Sequence, residues 1–128
     1  MSPTTFTDDP SIPDDAELWR RVRPDFQKMD AAGRPRATSQ AFQEPSNGTP
    51  MSVLLADQVK AGGRDLKDVL ADYPGHKMAS FRAGFARTLG LGIARDPTPQ
   101  EPAHAVVVGN KTGSVRKGLS LTADLIAP

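Results

Sequence analysis

Ala103–Val108 reads AHAVVV, small and β-branched residues between Gly109 and a loop, Asp96–Pro102, that holds three prolines. β-Branched side chains pack well on a pleated surface. An apolar run without alternation suits a strand covered on both faces. The stretch is therefore expected to be a central strand. Met51–Ala56 (MSVLLA) reads as a second buried strand. Residues 77–95 divide into a strand near 78–82, a short helix near 83–89 and a strand at 91–95. Gly84, Gly90 and Gly92 argue against one long helix there. Asp65–Asp72 fits a short helix, with Leu66, Val69 and Leu70 spaced for one face and Tyr73-Pro74-Gly75 as its stop. Leu18–Val22 is either one helical turn or a short strand. Gly109–Gly118 is expected as a basic, glycine-rich turn, and Leu119–Ile126 as a closing helix. Together these elements predict an α+β fold, a small mixed sheet with a few short helices.

The chain has 128 residues, enough for one domain. Pro3, Pro10 and Pro13 stand among Thr, Ser and Asp, so residues 1–13 read as a disordered tail and 14–128 as the domain. The tail is expected to be dispensable for stability. Its acidic residues precede Arg20, Arg21 and Arg23, which leaves a second reading in which it folds back and masks a basic site.

A net charge of +1 supplies no global field for nucleic acid or membrane. Cysteine is absent, which excludes disulfides, thiol catalysis and cysteine-bound metals. No run of 18 apolar residues suggests a membrane span, and the acidic start is unlike a secretory signal. The expectation is a soluble, cytoplasmic bacterial protein without a cofactor. His76 and His104 are the only histidines, and their spacing matches no metal motif. Val106–Gly113 (VVVGNKTG) has the Asn-Lys of a guanine-reading turn, but Gly113 stands where an Asp is needed and no phosphate loop of the GxxxxGK[ST] type occurs.

Candidate site residues follow from chemistry. Leu18–Arg23 (LWRRVR) places the only Trp beside three Arg, a combination able to stack on bases or grip phosphates. If the segment is extended, Arg20 and Val22 share one face and Trp19 and Arg21 the other. Lys111, Arg116 and Lys117 surround the glycine-rich turn and suggest an anion cradle. His104 opens the AHAVVV strand, where an imidazole can carry a proton.

Leu18-Trp19-Arg20-Arg21, Ser39-Gln40-Ala41-Phe42, Ser52-Val53, Asp96-Pro97, and Pro102-Ala103-His104-Ala105 followed by Val107 and Gly109 form a pattern that resembles small uncharacterised bacterial proteins over residues 12–126. That resemblance implies kinship without an activity. Trp19-Arg20, Ser39–Phe42 and Met51–Ala56 also resemble the opening strands of RES-domain toxins and of the wider ADP-ribosyltransferase fold. This second resemblance implies that an Arg on the first strand meets a dinucleotide, and it adds Ser39 to the candidates. The Gly-Gly-Arg-Trp element of the RES group is absent, and no Glu occurs between Met51 and Glu101, so binding is expected more than turnover. Two functions follow: an accessory protein acting through another bacterial protein, or a binder of a nucleotide, NAD-like or other phosphorylated ligand through Arg20, Arg21, Ser39, His104 and the Lys111–Lys117 turn.

Overall fold

The computed structural model describes residues 6–44 and 50–128. Its strands are β1 (Glu17–Val22), β2 (Gln27–Met29), β3 (Pro35–Ala37), β4 (Met51–Leu55), β5 (Lys77–Arg82), β6 (Gly92–Arg95), β7 (His104–Val108) and β8 (Asp124–Ile126). The helices are α1 (Ala56–Ala61), α2 (Leu66–Leu70), α3 (Ala83–Thr88) and α4 (Gly113–Thr122), with 3-10 turns at Pro24–Phe26 and Ser39–Phe42. The fold is α+β. Six strands form one sheet in the order β6-β7-β4-β1-β5-β8, and β2 and β3 form a separate hairpin. Every pairing is antiparallel, so the mixed sheet suggested by the element order becomes an antiparallel one.

Both sheet faces are covered, which is why the strands are apolar on two sides. On one face Leu18, Val22, Val53, Phe81, Ile93, Ala105 and Val107 meet Phe42 of the second 3-10 turn, Ala83 and Ala86 of α3, and Leu119 of α4. On the other, Trp19, Leu54 and Met78 meet Val59 of α1 and Val69 and Leu70 of α2. Ala105, Val106 and Val107 are all buried, as the AHAVVV run implied, and β7 lies between β6 and β4. Asp65 caps α2 by accepting from Asp68 N, while the Asp68 carboxylate accepts from Asp65 N. No helix among the described residues is long and apolar enough to cross a membrane.

Three expectations are corrected. The turn at 109–118 is mostly helix: Gly109 turns the chain at φ +115°, and Thr112 caps α4 through Val115 N. The closing helix at 119–126 is the last turns of α4 followed by β8, and Leu121 is exposed. Residues 8–13 are docked. Asp9 N donates to Ile93 O at 2.7 Å, and Ile12 is 1% exposed within the core. Residues 1–5, the rest of the expected tail's start, lie outside the described residues.

Ile12 and Val107 should therefore be sensitive to truncation. Ile12→Ala is expected to cost about 2–4 kcal/mol and Val107→Ala about 1–3 kcal/mol, measured by urea unfolding. A loss below half a kcal/mol at Ile12 would mean that the segment contributes no core packing.

Candidate functional site

The β1–β4 ladder is short. Leu18 pairs with Leu55 and Trp19 with Leu54, and the register stops there. β1 continues beside β5 as far as Val22, and β4 beside β7 back to Met51. The parting of β1 from β4 opens a cleft of about 140 Å3 lined by Trp19, Arg20, Arg21, Ser52, Leu54 and His104. A hollow of about 380 Å3 shares Arg21, Leu54 and His104 with it and extends to Arg64, Tyr73 and Glu101.

The two adjacent arginines have opposite fates, set by strand alternation. Arg20 turns into the parting. Its Nε donates to Ala41 O at 2.7 Å, Nη1 to Ser52 O at 2.8 Å and Nη2 to Gln43 O at 3.3 Å. Burial disfavours its charge and pushes its pKa down to about 10, so it stays protonated at neutral pH. Arg21 points to the other face. Its Nε donates to Val69 O at 2.9 Å, and its guanidinium lies 4.2 Å from the Tyr73 ring centre. Among the described residues its two terminal nitrogens have no protein acceptor.

His104 stands opposite Leu54 in the ladder. Its Nδ1 lies 3.0 Å from Asp96 O and 3.2 Å from an Asp96 carboxylate oxygen. Nδ1–H therefore donates to Asp96, which leaves Nε2 as the nitrogen for the cleft. Ser52 pairs with Val106, one step along the same face, and is exposed. Arg64 holds Glu101 through two bonds of 2.8 and 2.6 Å, and the same carboxylate accepts from Ala103 N. The Arg64 bonds, working against partial burial, hold the Glu101 carboxyl below its ordinary range.

The remaining candidates do not join this cleft. Lys111 is buried, its ammonium donating to Glu44 Oε1 at 2.6 Å and to the carbonyls of Val107 and Gly109. That ammonium is fully engaged by protein acceptors, so the anion cradle is corrected: Lys111 is a tie between β7 and Glu44. Arg116 Nε donates to Lys111 O, and Lys117 is exposed on α4. Ser39 begins a 3-10 turn where the ADP-ribosyltransferase likeness implied a strand. Among the described residues no three His, Asp or Glu side chains are placed to hold a metal ion. Sequence reasoning missed Arg64, Tyr73 and Glu101 as neighbours of the cleft. No spacing signals them, because Arg64 and Glu101 meet across 37 positions.

No protein-family model, curated protein or solved structure matches the chain.

Two outcomes follow. Arg20→Ala leaves three carbonyls without their donor and should cost about 2–3 kcal/mol by chemical denaturation, since hydrogen bonds to charged groups are worth about 1.5–3 kcal/mol. A loss under half that would show that water replaces the guanidinium. For Glu101, a lowered folded-state pKa means stability that is present above the ordinary carboxylate range and is lost as pH falls through the lowered value. Wild type should therefore exceed Arg64→Met in melting temperature at neutral pH, and the gap should close on acidification. A gap independent of pH would remove Glu101 titration as its source.

Proposed function

We propose that the protein binds a small anionic ligand with phosphate-ester chemistry in the cleft between β1 and β4, within a bacterial, cytoplasmic setting. The observation that carries this is the shared cleft of Arg21 and His104, whose open nitrogens lie on one face of the sheet. A guanidinium stacked on Tyr73 and fixed at Nε offers its outer nitrogens as a preset planar fork. His104, oriented by Asp96, adds a donor or acceptor at Nε2. Trp19 and Leu54 supply an apolar wall. Arg20 belongs to the scaffold in this reading, because its nitrogens are held by carbonyls. Binding is proposed, and turnover is not.

The test is a titration of the full chain with inorganic phosphate, ADP-ribose, NAD and ATP, followed by Trp19 fluorescence. One of these should saturate below millimolar concentration. Arg21→Ala should weaken it about tenfold or more, as expected for losing one charged hydrogen bond, and His104→Gln should weaken it less. No saturable response at millimolar ligand, or one indifferent to Arg21→Ala, would remove the reading. The accessory-protein reading has a different support, at the far edge of the sheet.

A further inference from the structure

β6 is the last strand of the sheet, and its inner side is paired to β7 from Gly92–Val108 to Arg95–Ala105. An edge strand offers unpaired backbone groups to any extended chain. Here the outer side of β6 is occupied by the protein's own Asp8 and Asp9. Asp9 N donates to Ile93 O at 2.7 Å, and Ile93 N donates to the Asp8 carboxylate at 2.9 Å. A side chain thus takes the place that a second backbone carbonyl would fill in a strand.

Within the strap, Asp9 O accepts from Ile12 N at 3.1 Å and the Asp9 carboxylate accepts from Ser11 N and Oγ. The remaining attachments to the body of the protein are made by arginines. Arg87 of α3 donates from Nε to Asp8 at 3.0 Å, from Nη1 to Asp14 at 2.6 Å and from Nη2 to Asp9 O at 3.0 Å. Arg95 Nε lies 3.3 Å from the Asp9 carboxylate. Gly92 lets the chain lie this close: a Cβ there would stand 2.8 Å from Asp8 Cβ.

This strap differs from the chain that follows it. Ile12 is locked in the core, Asp14 O accepts from Gly84 N and Ala16 O from Ala83 N. Before Ile12, Phe6 is half-buried and belongs to neither core cluster. Partly exposed ion pairs contribute little net stability and weaken with salt. Lifting residues 6–10 would break these pairs and the bond from Ile12 N to Asp9 O, while the Ile12 side chain keeps its place in the core. It would free Ile93 N and O between two arginines.

We infer that the β6 edge, flanked by Arg87 and Arg95, is a docking site for an extended acidic segment of a partner protein, and that Asp8 and Asp9 occupy it in the resting chain. The occupant's chemistry is set by the residues now seated there: two consecutive carboxylates, each beside an arginine, with Asp8 accepting from the β6 amide of Ile93 and Asp9 also accepting from its own turn at Ser11, on a chain adding itself to a sheet edge. β7 and β4 separate this edge from the β1–β4 cleft, so it stands apart from ligand binding there.

The test uses the full chain and a double substitution, Asp8→Asn with Asp9→Asn, which loosens the strap. The probe is a fluorescent peptide of residues 6–11, Phe-Thr-Asp-Asp-Pro-Ser, with an Asn-Asn version as control. The Asp peptide should bind the loosened protein at least fivefold tighter than wild type and weaken with added salt. Adding Arg95→Gln, at a half-exposed side chain that leaves the core untouched, should reduce binding further, as should Arg87→Ala where melting shows it folded. Equal affinity for wild type and the loosened protein would overturn the inference. So would equal binding of the Asn-Asn peptide, or an Ile93 amide whose exchange with solvent is as slow as that of Val107.

Discussion

The Arg20 guanidinium stands where backbone pairing between β1 and β4 ends, and the rest of the arrangement depends on that substitution. Two strands that part inside a sheet leave carbonyls without donors, and buried ones are costly to leave unpaired. One planar fork supplies Ala41, Gln43 and Ser52 together, joining β4 and the second 3-10 turn to β1. A lysine, with a single ammonium, has no comparable fixed fork. The cost is a cation held among dipoles with no carboxylate partner among the described residues, and burial lowers its pKa to about 10. With the carbonyls satisfied the strands can remain apart, and a cleft persists in what would otherwise be a closed ladder.

That geometry divides the arginines of one short strand into different roles. Arg20 holds the sheet, Arg21 lies on Tyr73 with its outer nitrogens open, and Arg23 pairs with Asp25 at the surface. Strand alternation put Arg20 and Arg21 on opposite faces in the sequence alone, given an extended segment. Which of them was open could not be read there. The deciding acceptors are backbone carbonyls at positions 41, 43, 52 and 69, and carbonyls carry no sequence signature.

The same limit explains which elements were legible. Residues 77–95 resolved into β5, α3 and β6 near their expected places, because each glycine break was local. β4 and β7 were legible from composition. α4 was not, since Gly113 and Gly118 lower helix propensity. Gly118 faces Leu89, where a Cβ would make ordinary contact at 3.6 Å, so the packing there does not require a glycine. Ile12 was a single apolar residue among prolines and polar neighbours, without the periodicity that marks an element. Its burial arises from joining a core cluster whose other members, Phe42, Val53 and Ile93 among them, lie far along the chain.

β7 links the two surfaces through its alternation. Ala105 and Val107 fill one core, while His104 and Val106 point to the opposite face, so the register that buries the valines also delivers the imidazole to the cleft. The pairing with β6 on the other side fixes Ile93 and Arg95 at the strap. A slip of one residue would reverse every side chain of the strand. It would bury His104 in the core and remove the cleft and the edge site together. The apolar run that decides the fold therefore also fixes where both candidate surfaces stand. It does so with side chains buried in the core, which is why a core valine and a cleft-lining histidine can be neighbours in one pentapeptide.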